Sequence, residues 1–433
     1  MNNLDLKTAK KVHFIGIGGI GISAIARMML EEGKVVSGSD STLSPITEEF
    51  VKLGAAVWEG QNASNIGDNI DLVVYTVAVP DTNTELMEAR AKNIQTLSYP
   101  EMLGLVSEGK FTIAVAGTHG KTTTTAMTAG VFIDAKKDPT VVVGSLLKAS
   151  HSNFISGKSE YFIVEACEYK RSFLHLSPKI LVITNIDDDH LDYYGNLEGV
   201  QKAFREMCER VPADGVVVTD VNNVNIALVL KGLVCKVVDY RFEDVSVLKL
   251  KVPGAHNKSN AQAVLAVARE VGISTEEASK SLEDFPGTWR RFEFKGTTAS
   301  GVLVYDDYGH HPTEIKATLQ GARELFKDKN ITVIFQPHLY SRTKEHLADF
   351  ATAFTDADNV LFAPIYAARE SFDSSVSSEL LAEQTKGVKG IVKYFTDFES
   401  IGSYLKENAK SGDVVMTMGA GDIYEVGEKF LKQ

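Results

Sequence analysis

The stretch Ile113-Ala114-Val115-Ala116-Gly117-Thr118-His119-Gly120-Lys121-Thr122-Thr123 constrains this chain most. An apolar strand runs into a tight glycine turn, and Lys-Thr opens a helix. Gly117 and Gly120 let backbone N–H groups turn toward a phosphate with no Cβ in the way. The positive end of the following helix faces the same anion. Lys121 is placed to reach the terminal phosphates, and the Thr122 hydroxyl to hold Mg²⁺. The general pattern has four residues between its two glycines. Here Val115 stands at the earlier position and the first glycine is Gly117. The unit points to ATP chemistry, with Gly117, Thr118, His119, Gly120, Lys121, Thr122 and Thr123 around the phosphates.

The rest of the composition sets bounds. A chain of 433 residues is long enough for about three domains. A net charge of −12 argues against nucleic acid as the main partner. The three cysteines, Cys167, Cys208 and Cys235, have no metal-type spacing and cannot all pair, which fits a reducing cytoplasm. Met1-Asn2-Asn3-Leu4-Asp5 lacks a basic region followed by an apolar core, so no signal peptide is expected. No apolar run approaches the ~18 residues of a membrane span, so no insertion in a membrane is expected. Monomer and homodimer both remain open.

Apolar strands alternate with helices along the whole chain, the pattern of parallel sheets flanked by helices. In the first block, strands are expected at 12–17, 35–37 and 71–76, with an amphipathic helix at 22–32. A second block opens with the phosphate loop and continues through strands at 161–164, 180–184 and 215–219 to a helix at 260–271. In a third, strands are expected at 302–305, 331–335, 359–363 and 414–418. The boundaries fall near 105 and 290, giving domains 1–105, 106–289 and 290–433.

Several strands end in polar clusters, and the ends of parallel strands face the ligand crevice. Gly16-Ile17-Gly18-Gly19-Ile20-Gly21 is a G-x-G-x-x-G turn. Gly16 makes the turn, Gly18 permits close anion approach and Gly21 allows close helix packing. Asp40 follows where an acidic group often meets a ribose. Alone, this turn reads as a nicotinamide site, but that leaves the second phosphate loop without work. Glu165 ends another strand as a plausible Mg²⁺ ligand, while Glu168 reads equally well as a salt-bridge partner. His190 closes the acidic run Asp187-Asp188-Asp189 as a candidate metal ligand. Asp306-Asp307-Tyr308-Gly309-His310-His311-Pro312-Thr313-Glu314 gathers carboxylates, imidazoles and a phenol in one turn, suited to orienting a nucleophile or holding phosphate and metal. Gln336-Pro337-His338-Leu339-Tyr340-Ser341-Arg342-Thr343 offers Arg342 as a carboxylate clamp.

Taken together and in this order, these segments resemble the Mur ligases over nearly the whole chain. Pro253-Gly254-Ala255-His256-Asn257, Asn260-Ala261, Arg290-Arg291-Phe292-Glu293 and Gly419-Ala420-Gly421-Asp422-Ile423 complete the resemblance. It implies an α/β protein of three domains. An N-terminal Rossmann-like domain takes a UDP-sugar through Gly16, Gly18, Gly19, Gly21 and Asp40. A central P-loop ATPase-like domain with a mostly parallel sheet takes ATP. A C-terminal Rossmann-like domain brings the amino acid. The branch that fits best joins L-alanine to the lactyl carboxylate of UDP-N-acetylmuramic acid through an acyl phosphate.

Thr122, Glu165 and His190 match the family's magnesium positions, and Asn257, Arg290 and Asp306 its positions near ATP. Tyr308, His310, His338 and Arg342 match its substrate-carboxylate and amino-acid side. Lys121, His190, His338 and Arg342 are the expected catalytic residues. The chain departs from the pattern at Leu339, where arginine is frequent, and at Glu165-Ala166-Cys167-Glu168-Tyr169, which replaces a more acidic version. No counterpart is assigned to the modified lysine that related ligases carry. Two other readings stand beside this one: a branch of the same family that attaches a recycled tripeptide to the same sugar, and a non-catalytic nucleotide sensor.

Overall fold

Three mostly parallel sheets carry the alternation of strands and helices. The computed structural model describes residues 6, 8–148, 150, 152–368 and 370–432. The signal-peptide reading of residues 1–5 lies outside them. In the first sheet Lys11–Ile15 (β1), Val35–Asp40 (β2), Ala56–Glu59 (β3), Leu72–Tyr75 (β4) and Gln95–Ser98 (β5) pair in parallel, in the order β3-β2-β1-β4-β5. The order reverses between β1 and β4, so a crevice opens beyond their C-terminal ends, where Gly16 and Thr76 stand.

The second sheet contains Phe111–Ala116 (β6), Thr140–Leu147 (β7), Ser152–Ile155 (β8), Tyr161–Glu165 (β9), Ile180–Ile183 (β10), Val216–Thr219 (β11) and Lys236–Asp239 (β12). Its order is β12-β11-β10-β6-β9-β7-β8, with β7 and β8 antiparallel and the other neighbours parallel. The third contains Glu293–Thr297 (β13), Leu303–Asp307 (β14), Ile331–Phe335 (β15), Asn359–Phe362 (β16), Val392–Tyr394 (β17) and Val414–Met418 (β18). Its order is β13-β14-β18-β15-β16-β17, with β13 antiparallel to β14.

Every residue of β10, β15 and β18 is buried. Helices cover both faces of such strands, so they read as unbroken apolar runs. The strands absent from the sequence reading lie mostly at sheet edges: β3, β5, β8, β12, β13 and β17. Edge strands such as β3, β13 and β17 are largely exposed or half-buried and show no such run. β7 is different. Its Val141-Val142-Val143 is buried and carries as clear a signal as its neighbours. The helix expected at 260–271 starts earlier, as Ala255–Glu270.

The chain divides into two compact units, Met1–Val247 with Asn260–Leu282, and Leu248–Ser259 with Glu283–Gln433. The first unit holds the first two sheets, and a buried polar clip joins them. Helix Ile20–Glu31 follows β1 and packs on β7 and β8 of the second sheet. On it Arg27, 5% exposed, grips Glu49 through Nε (3.2 Å) and a terminal nitrogen (2.7 Å). The guanidinium lies 5.2 Å from the centre of the Phe50 ring and also donates to Asn153 Oδ1 on β8. The Asn153 amide in turn donates to the Ile20 carbonyl and, at 3.0 Å, to Ser23 Oγ. Apolar side chains surround this network, among them Ile22, Ala26, Phe50 and Phe154.

Arg27→Ala removes the guanidinium and leaves the buried Asn153 amide short of a partner, a loss of about 2 kcal/mol. Differential scanning calorimetry is expected to show the first unit's transition lowered by about 5 °C. A shift below about 1 °C would mean that the clip contributes nothing measurable.

Candidate active site

The loop after β6 is closed onto the loop after β10. Gly117 has φ +132°, outside the range of ordinary L-residues, and a Cβ there would overlap Thr184 Oγ1. That hydroxyl lies 2.5 Å from the His119 carbonyl and 3.3 Å from that of Ala116. Asn185 holds His119 from both sides, accepting from its N–H (2.8 Å) and donating to its carbonyl (3.0 Å). The Asp187 amide donates to Thr118 Oγ1 (2.9 Å), and the Asp187 carboxylate meets His119 Nε2 at 3.3 Å. Contact with His119 holds the Asp187 carboxyl below the usual carboxylate range, against the opposing pull of burial. The expected loop residues are therefore fixed to the turn after β10.

Gly120 caps helix Lys121–Asp134. The run Thr122-Thr123-Thr124-Thr125 favours a helix poorly, since branching at Cβ costs side-chain freedom. Burial decides the matter: all four are buried, and the hydroxyls of Thr125 and Thr128 donate back to the carbonyls of Lys121 (2.8 Å) and Thr124 (2.7 Å). The first turn of this helix meets the end of β9. Thr122 Oγ1 donates to Glu165 Oε1 (3.0 Å), and Glu165 Oε2 accepts from the Gly144 amide (2.7 Å).

Lys121 Nζ donates to Gly117 O (2.6 Å), Thr118 O (3.0 Å) and Glu168 Oε1 (3.0 Å). Burial, the largest single influence, would lower the pKa of this ammonium, but the charge and hydrogen bond of Glu168 together with the acidic groups of Cys167 and Glu165 outweigh it, and the net shift is upward. His190, at φ +58°, places Nε2 3.9 Å from Glu168 Oε1 and 3.8 Å from Asp189 Oδ2. The carboxylates beside His190 are therefore those of Glu168 and Asp189. Glu168, left ambiguous by the sequence, stands at the centre of the group with its side chain only 3% exposed.

At the first sheet Gly16, Gly18, Gly19 and Gly21 form the turn expected after β1. At Gly18 the amide donates to Asp40 Oδ2 (2.8 Å), and a Cβ there would meet that same oxygen at 2.9 Å. Asp40 Oδ1 accepts from the Ser41 amide (2.8 Å), so each Asp40 oxygen accepts from a backbone amide, one after β1 and one after β2. Gly21 does serve packing, lying against the Tyr99 ring.

The second unit gathers another cluster at the ends of β14, β15 and β18. Arg290 and Asp306, 3% and 1% exposed, form a buried ion pair at 2.8 Å. The Arg290 terminal nitrogens bind the carbonyls of Gly421 (2.8 Å) and Gly419 (2.6 Å), while Asp306 accepts from Thr417 (2.6 Å). The pair thus clips the loop after β18 to β14. Asn257 is buried and donates to Pro253 O (2.7 Å).

Tyr308, His310, His338 and Arg342 come together. His310 Nδ1 lies 3.1 Å from the Tyr308 carbonyl, and the His310 and His338 rings are 5.8 Å apart. Arg342 donates to His338 Nδ1 at 3.2 Å. Guanidinium has no acceptor, so Nδ1 presents its lone pair and a neutral His338 carries its proton on Nε2. Tyr366, which the sequence reading passed over, stacks on His338 with centroids 5.7 Å apart and rings 13° from parallel. Its signal was its place just after β16. Leu339 sits at φ +72°, tied by its amide to Tyr366 O (2.9 Å).

Comparison with known proteins follows this layout. Residues 11–110 match the model of the Mur ligase family catalytic domain, 115–268 the Mur ligase middle domain, and 290–421 the Mur ligase glutamate ligase domain. A UDP-N-acetylmuramate–L-alanine ligase of Caldanaerobacter subterraneus is 44% identical, with 99% of each chain covered. The crystal structure of a UDP-N-acetylmuramate–alanine ligase from Thermotoga maritima superposes with a TM-score of 0.82 at 32% identity, covering 98% of both chains. A murein peptide ligase from Psychrobacter arcticus shares the fold, with a TM-score of 0.72 at 24% identity and 98% of both chains covered.

One carboxyl of the second cluster offers a direct titration. Burial pushes Asp307 up from an ordinary 3.8 to about 6, while Arg291 and the amides of Phe292 and Gly309 pull the other way. A folded value above the unfolded one means that the native chain holds this proton more tightly. That contribution to stability is complete below pH ~4 and is lost as pH rises through about 6. Carbon-detected NMR of Asp307 is expected to titrate near pH 6, and a midpoint near 4 would contradict the burial argument.

Proposed function

This chain belongs to the Mur ligase family, and from that premise we propose that it joins L-alanine to the lactyl carboxylate of UDP-N-acetylmuramic acid, consuming ATP, in peptidoglycan precursor synthesis. Full-length likeness to relatives named for that reaction carries the reading. The phosphate loop supplies its chemical logic. A carboxylate is a poor acylating agent. Its oxygen attacks the γ-phosphorus of ATP, ADP leaves, and an acyl phosphate forms. The alanine nitrogen then attacks the carbonyl carbon, the C–O bond to phosphate breaks, and a proton leaves the new amide. Bringing anions together makes cationic groups the main catalytic requirement.

Within this reading Lys121 neutralises the transferring phosphoryl group, and the amides of the Gly117–Lys121 loop cradle the phosphates. Thr122, Glu165 and His190, with Glu168 beside them, are the residues that would hold Mg²⁺. Apart from the His190 imidazole this set presents oxygen donors, which Mg²⁺ prefers. Glu168 Oε2 is buried without a hydrogen-bond partner among the described residues, a vacancy that a cation fits. Held by these residues, Mg²⁺ would supply positive charge to offset the negative charge of the phosphates. In the second unit Arg342 serves as the carboxylate clamp and orients His338. Tyr308 and His310 complete the wall that receives the amino acid. Asn257, Arg290 and Asp306 stand at positions that match the family's positions near ATP. The Gly16–Gly21 turn receives the diphosphate of the sugar nucleotide.

Phosphate release from Mg-ATP and UDP-N-acetylmuramic acid tests the reading, comparing L-alanine with the L-Ala-γ-D-Glu-diaminopimelate tripeptide. Release with alanine is expected, with the product heavier by one alanyl unit. Release with the tripeptide alone would move the chain to the recycling branch. Lys121→Ala is expected to lower kcat by about 10³-fold or more. UDP-sugar affinity, read by titration calorimetry, should stay within about twofold. Undiminished turnover in that variant would remove the ATP-site assignment.

A further inference from the structure

Lys121 is fully engaged by the protein itself. An ammonium has three protons. Here the loop carbonyls of Gly117 and Thr118 and the Glu168 carboxylate take them. None is left for a phosphate until one of these contacts breaks. The carbonyls belong to the loop that cradles the anion, so the exchangeable partner is Glu168.

Glu168 cannot follow the lysine or turn to solvent. Its carbonyl accepts from the Arg171 amide (2.8 Å) and from the Tyr194 hydroxyl, and the Cys167 carbonyl accepts from the Phe173 amide (2.9 Å). Lys170 and Arg171 follow with φ of +50° and +61°, which closes the turn tightly. The carboxylate has Lys121 on Oε1, while Oε2 is buried without a hydrogen-bond partner among the described residues. Once Lys121 swings to a phosphate, the buried carboxylate keeps only the His190 imidazole, 3.9 Å away, beside it. That state is costly unless another cation arrives.

The local charge count runs the same way. Lys121 stands against two carboxylates, Glu165 and Glu168, with Asp189 beside His190. Without a divalent ion the pocket is net negative and repels a polyphosphate. A divalent cation offsets that excess negative charge and frees the lysine from holding it.

We propose that Glu168 makes nucleotide binding conditional on the divalent cation: it parks Lys121 on the loop's own carbonyls and exchanges that ammonium for the metal's charge when the nucleotide enters. Glu168 is a positioning residue in this scheme, acting through Lys121. The inference rests on the ATP half of the proposed function and leaves the identity of the amino acid aside.

Titration calorimetry with β,γ-imido-ATP, in Mg²⁺ and in EDTA, tests it on the full chain. Wild type is expected to bind at least about 100-fold more tightly with Mg²⁺. In Glu168→Gln, metal-free binding should tighten about tenfold and metal-loaded binding weaken about tenfold, so the ratio between the two collapses. Glu168→Asp, which keeps the charge, should hold the ratio within about threefold of wild type. It also serves as the decisive variant if the Gln form fails to fold, as judged by its unfolding midpoint. An unchanged ratio in Glu168→Gln, or a collapsed one in Glu168→Asp, overturns the proposal. Wild type that binds the analogue equally with and without Mg²⁺ also overturns it, with the ATP reading intact. Wild type that binds no adenine nucleotide in either buffer overturns both.

Discussion

The close approach of Thr184 to Gly117 is the constraint on which the site depends. The Thr184 hydroxyl lies where a Cβ at 117 would be, so two strand-end loops close on each other. β6 and β10 are neighbours in the sheet, and their register pairs Ala116 with Ile183, so the loops leave at the same height. From that contact follow the grip of Asn185 on His119, the Thr118–Asp187 bond and the direction in which the helix of Lys121 starts. Shape at this point is set by packing and hydrogen bonding before any ligand enters.

Charge then does what shape cannot. The first unit buries Lys121 among carboxylates, and the second buries Arg290 against Asp306. The two pairs are used differently. Arg290 has its Nε on Asp306 and its terminal nitrogens on the carbonyls of Gly419 and Gly421, while Asp306 is further held by Thr417. That is a structural clip, satisfied throughout. The Lys121–Glu168 pair leaves one carboxylate oxygen buried and without a hydrogen bond among the described residues, the feature on which the proposed exchange rests. A fully satisfied buried pair fixes a loop, whereas a half-satisfied one is costly to keep buried.

Much of this was legible along the chain. Strands at sheet centres announced themselves because helices cover both faces and leave unbroken apolar runs, as in β6, β15 and β18. Edge strands were harder. β3 and β13 have an exposed side, so their composition resembles that of loops. The phosphate loop was readable because its chemistry is local, with glycine, lysine and threonine in consecutive positions. Gly18 shows the opposite case. Its spacing invited an anion, yet its amide is occupied by Asp40 from 22 residues away, and only the fold brings that carboxylate there.

By itself the sequence determined an α/β chain of parallel sheets, a phosphate loop at 117–123 and polar clusters at strand ends, because periodicity and short motifs are properties of neighbouring residues. The tertiary structure decided which charges meet. It set Glu168 on Lys121, Arg342 on His338, Tyr366 over the same ring and Asp40 on Gly18. All but the Arg342–His338 contact, four residues apart after β15, join residues on different strands or loops. Distance along a chain carries no information about such pairs, and the order of strands in the sheets supplies it.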